Sequence, residues 1–286
     1  MDGEDWARRA DRLQRSLDRY YAPRLRLPWL APLRNWHPAA FGDFKSLNYW
    51  WQAHAIEARL DAFERDGAQR RRAEAERNFR YVVWRNGRSL FNDYFDDMGW
   101  MGIAALRLAD LTGYARYRQA AAALWQHIRE HGWNDTAGGG IAWEKRQLQY
   151  KNTPSNGTFV ILGARLYQRT GEAQYLEWST RAFDWLDGTL RRADGFVEDG
   201  INRKNDGKID DWKFSYNQGL YIGACAELAA AGRTELTARA FATQRAVAEL
   251  AVDGVPDDRG DGGDVPLFKG VWYRYAAQLA LSAGSA

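Results

Sequence analysis

The chain has 286 residues, 45% of them hydrophobic, which is enough for one large domain or two small ones with a sizeable core. A mean hydropathy of −0.60, without any run near about 18 apolar residues, predicts no membrane span. The 40 basic and 37 acidic residues nearly balance, so charge gives no case for a nucleic-acid partner. The single cysteine, Cys225, excludes an intrachain disulfide and a cysteine-based metal site, and its apolar neighbours are typical of a buried side chain.

Helical periodicity runs through most of the chain, and we find no alternating strand pattern. Thr-Gly pairs end two similar segments, and Gly113, Gly171 and Gly232 mark breaks about 60 residues apart. Glycine suits the left-handed conformation at a helix C-terminus. The pattern predicts ten helices, at roughly residues 3–22, 45–65, 68–86, 94–112, 114–132, 152–170, 172–190, 214–231, 233–251 and 268–282.

Alternate helices differ in composition. Those that start near 45, 94, 152, 214 and 268 are rich in glycine, alanine and aromatic residues, whereas the helices between them carry more charge. This alternation indicates an inner and an outer layer, as in a toroid-type barrel of helical hairpins. No linker interrupts the chain, so we predict a single domain over residues 1–286. The loops that enter the inner helices are long and rich in Gly, Trp, Asn and Asp, and we expect the site there.

Two adjacent carboxylates, Asp96 and Asp97, open one inner helix among Tyr94, Phe95 and Trp100. One interpretation is helix capping, because aspartate is favoured where a helix exposes its first N–H groups. The other is a retaining glycosidase pair, whose carboxyl groups lie about 5–5.5 Å apart. Burial and mutual repulsion would then raise one pKa. The 14 Trp, 14 Tyr and 12 Phe favour a carbohydrate cleft only weakly, and the pattern alone leaves both interpretations open.

Six ordered blocks resemble glycoside hydrolase family 76, the endo-α-1,6-mannanase family. They are NYWWQAH (48–54), YFDDMGWMGIAALRLADLTG (94–113), the segment GGGIAWEKRQLQYKNTPSN and its continuation (138–171), DGFVEDGIN (194–202), WKFSYNQGLYIGACAELAAAG (212–232) and LFKGVWYRYAAQL (267–279). The resemblance implies an all-α (α/α)6 barrel, endo-acting cleavage of α-linked mannan and no cofactor. It also implies a retaining mechanism with Asp96 as nucleophile and Asp97 as general acid/base. That barrel needs twelve helices and we count ten, so we expect a barrel that is shortened at its C-terminus, unclosed, or completed by a partner.

Other residues of these blocks are candidates for substrate binding. Amides both donate to and accept from sugar hydroxyls, although helix capping and loop bracing are alternatives for them. Aromatic rings can stack on sugars, and we expect about half of them in the core instead. The histidine can equally be structural, and the single aspartate can equally form a turn. The candidates are Trp50, Trp51, His54, Trp100, Trp143, Asn152, Ser155, Asn156, Asp199, Trp212, Tyr216, Asn217, Gln218 and Trp272.

Several alternatives stay open at this point. A mannan transglycosidase, or a non-catalytic mannan-binding protein on the same scaffold, would share these blocks. Residues 202–213 partly mimic a calcium loop, but Lys204 and Lys213 stand at ligand positions, so we predict no metal site. The first residues lack the apolar stretch of a signal peptide, while a mannan substrate favours a secreted or periplasmic enzyme. The compartment is therefore left open, and we expect a monomer bound to α-mannan oligo- or polysaccharide.

Overall fold

The computed structural model describes residues 3–23, 33–38, 46–260 and 263–284. This part of the chain forms ten α-helices, whose bounds differ from the predicted ones by only a few residues. Lys45, the predicted start of the second helix, lies outside the described residues. The helices are α1 (Gly3–Tyr21), α2 (Tyr49–Asp66), α3 (Gln69–Arg85), α4 (Phe95–Thr112), α5 (Ala115–Gly132), α6 (Thr153–Thr170), α7 (Ala173–Thr189), α8 (Ser215–Ala230), α9 (Leu236–Ala246) and α10 (Val265–Gly284).

Short strands in the loops correct the expectation of a chain without strands. The strands β1 (Ala142–Glu144), β2 (Gln147–Asn152) and β3 (Gly200–Ile201) form one antiparallel sheet in that order. In its register Lys151 of β2 lies between Ala142 and Ile201. A two-stranded ribbon joins β4 (Ala251–Val252) and β5 (Val255–Pro256). Segments of two to six residues are too short to show a clear alternation of apolar and polar positions, which is why they escaped prediction.

Glycines end the helices where the sequence predicts breaks. Gly113 follows α4 and Gly171 follows α6, both with φ of 72°. The backbone N–H of Gly171 bonds the carbonyl of Tyr167, which closes the last turn of α6. Because a side chain is strained at such positive φ, glycine is the residue that lets the chain turn into the next helix.

The chain folds into two compact units, and the first comprises residues 1–92 with 100–124. In it α2 packs against α1 and α3. The buried Arg59 of α2 pairs with Glu74 of α3 and lies 3.7 Å from Asp18 of α1, so one guanidinium joins three helices. The prediction of a single domain over residues 1–286 stays a prediction.

The second unit comprises residues 93–99 with 125–286. Here α6 packs against α7 and α8, and α8 packs against α9 and α10. Most residues of α6 and α8 are buried, whereas α7 and α9 bury only part of their surface. The predicted alternation of inner and outer helices is confirmed for these four elements.

Glycine is the fifth residue of α4, α6 and α8, and in each helix it permits a close approach. A Cβ on Gly99 would overlap the side chain of Thr158 on α6. A Cβ on Gly157 would lie 2.9 Å from that of Leu220 on α8, and one on Gly219 would lie 2.6 Å from the α-carbon of Trp272 on α10. Near its N-terminal end, the backbone of each of these inner helices therefore packs directly against the next inner helix. The loops that enter them are thereby fixed to a common scaffold.

Candidate active site

The adjacent aspartates lie in the first turn of α4, which begins at Phe95. Unpaired backbone N–H groups and the positive end of the helix dipole favour negative charge there. Asp96 is half-buried, and its carboxylate accepts the backbone N–H of Asp97 at 2.8 Å. The capping interpretation therefore holds in part, because one carboxylate of the pair bonds a first-turn amide.

The surroundings of Asp96 raise its pKa. Burial is the largest cause, because it disfavours the charged form. The hydrogen bond from the Asp97 backbone lowers the pKa, the negative charge of Asp264 raises it, and a hydrogen bond from the side chain of Trp143 lowers it. The net result is a rise from 3.8 to about 7. Asp96 therefore exchanges its proton close to neutral pH, as one member of a catalytic pair is expected to do.

Two tyrosines accompany the pair. Burial raises the pKa of Tyr216, and the negative charges of Asp199 and Asp96 raise it further. Burial also raises the pKa of Tyr94, with smaller contributions from Glu144 and Asp97. Both phenols therefore stay protonated near neutral pH, and each can donate a hydrogen bond next to a carboxylate.

The three-stranded sheet brings a second set of polar side chains together next to Trp143. The rings of Trp143 on β1 and Tyr150 on β2 are 5.9 Å apart. The Tyr150 hydroxyl lies 3.1 Å from the carboxylate of Asp199 and 2.8 Å from that of Asp210. Arg203 packs its guanidinium 4.1 Å from the Tyr150 ring and donates to Asp210 at 3.0 Å. The sheet thus supports Trp143, whose side chain donates a hydrogen bond to Asp96.

Asp199 is the centre of this set, with 3% of its surface exposed. Its carboxylate accepts hydrogen bonds from Tyr216 at 2.9 Å and from Asn217 at 3.0 Å, and Arg203 lies 3.5 Å away. Burial raises the pKa of Asp199, while these hydrogen bonds and the guanidinium oppose the rise. Asp199 therefore anchors several side chains, one of them Tyr216, whose pKa the charge of Asp96 also raises, and is more than the turn former that the sequence allowed.

Two of the predicted sugar ligands instead hold the backbone. The Asn156 amide accepts from the Ile141 N–H at 2.7 Å and donates to the Ile141 carbonyl at 3.0 Å. The Gln218 amide bonds the Val197 N–H at 2.8 Å and the Val197 carbonyl at 2.7 Å in the same manner. We call each arrangement an amide clasp. Both amides are fully buried, so loop bracing is their role.

Three other candidates also have structural surroundings. Asn152 is the N-cap of α6, and its side chain accepts from the Ser155 backbone at 3.1 Å. The side chain of Ser155 is fully buried. Trp272 donates its indole N–H to Gln244 at 3.1 Å and packs against Tyr273. Helix capping, the alternative given above, describes Asn152, whereas Trp272 is half-buried and bonded to a neighbouring side chain.

Of the remaining aromatic candidates, Trp212 lies exposed in the second unit, and the others lie in the first. His54 packs between Trp50 and Trp100, at centroid distances of 5.2 and 4.5 Å. The two indoles are 6.3 Å apart and nearly parallel, with 28° between their planes. Trp51 contacts Trp36 edge-on at 5.1 Å. These residues form aromatic contacts with one another, and their role in binding sugar stays a prediction.

Sequence reasoning missed several residues that the structure brings to the site. Tyr150, Arg203 and Asp210 come together only through the sheet, and no local motif signals such a set. Tyr94 is the first residue of the block that contains the adjacent aspartates, and Asp264 belongs to an acidic loop. Position in the motif and local charge could therefore have signalled these two.

Comparison with known proteins identifies the family. The family model of glycosyl hydrolase family 76 matches residues 6–280. The chain belongs to this family. The fold of the family-76 chain is similar to that of the Lin0763 protein from Listeria innocua, with a TM-score of 0.90 and 43% identity over 96% of this chain and 79% of that one.

A second similar structure has a stated activity. It is an inactive variant of the α-1,6-mannanase GH76A from Salegentibacter sp. HEL1_6, in which two consecutive aspartates are replaced by alanine, in complex with α-1,6-mannotetrose. It shares 33% identity with the family-76 chain, with a TM-score of 0.88 over 96% of this chain and 80% of that one.

The curated relatives that the chain matches are mannan endo-1,6-α-mannosidases. Mannan endo-1,6-α-mannosidase DCW1 of Saccharomyces cerevisiae is 29% identical over 147 residues, which is 46% of this chain. The match spans 33% of the yeast protein's own length. The all-α, barrel-type fold class predicted from the sequence is confirmed by these similarities. Among the described residues, we find no helix with the length and apolar character needed to cross a membrane.

Proposed function

We propose that this family-76 protein is a retaining, endo-acting glycosidase that cleaves α-1,6-mannosidic linkages, with Asp96 and Asp97 as its catalytic pair. The observation that carries the proposal is the half-buried Asp96 carboxyl, with a pKa of about 7, beside a second aspartate at a helix N-terminus. The α-1,6-mannotetrose complex of the Salegentibacter enzyme, in which two consecutive aspartates are replaced, supports both the pair and the substrate class.

In this proposal Asp96 is the nucleophile. Its carboxylate oxygen attacks the anomeric carbon while the bond to the glycosidic oxygen breaks, and Asp97 gives that oxygen a proton. Water then attacks the anomeric carbon of the ester, Asp97 takes the proton from the water, and the Asp96 carboxylate leaves. The two side chains return to their starting protonation states, and the anomeric configuration is retained.

The environment of Asp96 fits a nucleophile in two respects. The Asp97 backbone N–H and the Trp143 side chain hold the carboxylate by hydrogen bonds, which fixes its direction. Burial makes the carboxylate a stronger base than an exposed one, and attack on carbon removes its charge from the poorly solvated site. A raised pKa also suits a general acid, so the same residue could exchange roles with Asp97, and the pH dependence of the rate distinguishes the two assignments.

The test is hydrolysis of unbranched α-1,6-mannan by the wild type, Asp96→Asn and Asp97→Asn. We expect short oligosaccharides from the wild type, and a loss of at least about 10³-fold in kcat/KM for either variant, as for other groups that act together in catalysis. Asp206→Asn, which removes an exposed carboxylate, is the matched control. NMR of the first product should show the α anomer. An inverted product contradicts retention, longer products indicate transglycosylation, and binding without any product contradicts the enzyme assignment.

A further inference from the structure

A cavity in the second unit has no role in the proposed reaction. Its volume is about 570 Å³, and Trp212, Phe214 and residues 249–252 form much of its wall. Its described lining includes neither Asp96 nor Asp97. The volume falls within the range of about 300–1,000 Å³ typical of small-molecule sites.

The indole of Trp212 is a preorganised platform in this cavity. It is 47% exposed, although a side chain of this size is usually more buried. The Arg203 guanidinium packs 4.2 Å from the Trp212 ring and 4.1 Å from the Tyr150 ring, so it is held between the two aromatics. Hydrogen bonding to Asp210 fixes the guanidinium. A large aromatic surface held in place from behind, yet left open to solvent, is suited to stacking on the apolar face of a sugar ring.

The charges of the cavity favour an uncharged ligand. Three acidic residues, Asp211, Glu249 and Asp257, and two basic residues, Lys213 and Arg259, line it. Lys213 pairs with Glu249 at 2.5 Å, so part of this charge is already neutralised. Glu249 also pairs with Arg192 at 3.0 Å, so the charges around the cavity are nearly balanced. They form no cationic cluster for a phosphate or carboxylate ligand, whereas the polar side chains can bond hydroxyl groups.

The cavity also lies close to the candidate active site. The guanidinium carbon of Arg203 is 4.2 Å from the Trp212 ring and 5.8 Å from the Trp143 ring, so the two indoles are at most about 10 Å apart. The Trp143 side chain bonds Asp96. A short oligosaccharide covers such a span.

We propose that Trp212 and this cavity form a separate subsite for an uncharged mannosyl unit, so that one mannan chain contacts both the cavity and the catalytic pair. The subsite rests on the proposed function for the identity of its sugar. It predicts a preference for longer oligosaccharides that depends on Trp212.

The experiment measures kcat/KM on α-1,6-linked mannose oligomers of increasing length for the wild type, Trp212→Ala, Trp212→Tyr and Trp84→Ala. Trp84, with 57% exposure, is the matched control because it is an exposed tryptophan outside the cavity lining. We expect Trp212→Ala to lose about tenfold on the longer oligomers, equivalent to about 1.4 kcal/mol, with little change on the shortest cleaved one. Trp212→Tyr should restore most of the loss, and Trp84→Ala should resemble the wild type.

Two results would overturn the subsite: an unchanged length preference in Trp212→Ala, or an equal loss at every length. Failure of the proposed function is a distinct result, since the wild type then releases no product from mannan. The cavity is in that case tested by calorimetric titration of α-1,6-mannotetraose into the wild type and Trp212→Ala. Weaker binding to the variant supports the sugar site, and equal binding refutes it.

Discussion

The pH dependence of the reaction tests the assignment of Asp96 most directly. With a pKa of about 7, Asp96 is ionised in about half of the molecules at pH 7 and in about a tenth at pH 6. If Asp96 must attack as a carboxylate while Asp97 holds the proton, kcat/KM should fall about tenfold for each pH unit below 7, and it should fall again at higher pH where Asp97 loses its proton. An ordinary aspartate, with a pKa near 3.8, would leave the rate flat over this range.

Two substitutions should move this fall of kcat/KM at low pH, the acidic limb of the profile, in opposite directions. Asp264→Asn removes a negative charge that raises the pKa of Asp96, so the limb should shift to lower pH. Trp143→Phe removes a hydrogen bond that favours the carboxylate, so the acidic limb should shift to higher pH. The maximum kcat/KM should also be lower, because the carboxylate is less well positioned. Asp206→Asn, an exposed change in another loop, should leave the limb in place.

The assay is initial-rate hydrolysis of α-1,6-mannan at low substrate concentration from pH 4.5 to 9, which reports the free enzyme. A flat profile between pH 5 and 8 would contradict the raised pKa. A rate that falls above pH 7 and levels off below it would show that Asp96 must hold a proton, and would exchange the roles of the two aspartates. Equal shifts in Asp264→Asn and Asp206→Asn would show a general effect of net charge.

Three further predictions concern stability, each measured by urea unfolding. The pKa of Asp96 is higher in the folded than in the unfolded protein, so the wild type loses stability as pH rises from about 4 to 7. The free energy of unfolding of Asp96→Asn should therefore exceed that of the wild type by an amount that grows to at most about 4 kcal/mol by pH 8. A difference independent of pH would contradict this. Gly157→Ala should cost about 1–3 kcal/mol, because its Cβ would press on Leu220, whereas Gly188→Ala, with open space around it, should not. Gln218→Leu should cost about 1–3 kcal/mol for each Val197 backbone group left unpaired, and no loss would refute the amide clasp.

The helices were predictable because their signals are local. Glycine at 113 and 171 ends helices for a steric reason that the neighbouring residues do not change, and alternating composition identified buried and exposed helices in advance. The adjacent aspartates were also visible in the sequence, since two charges among aromatic residues need a cause. The role proposed for them depended on family resemblance.

The partners of polar side chains were not predictable. Asn156 and Gln218 could have bonded sugar or backbone, and the residue type is equally suited to both. Their partners, Ile141 and Val197, are 15 and 21 residues away and belong to loops without helical periodicity. Arg203 was missed for the same reason, since its neighbours meet it only through the fold.

The amide clasps and the aspartate pair occupy equivalent turns of three inner helices. Asn156 and Gln218 are both the fourth residue of their helix, directly before the glycine of close approach. In α4 that place belongs to the buried Met98, and the aspartate pair occupies the two positions before it. The three helices therefore share one register. In two of them the first turn tethers a loop through an amide, and in the third, which has no amide at that place, the first turn carries two charges.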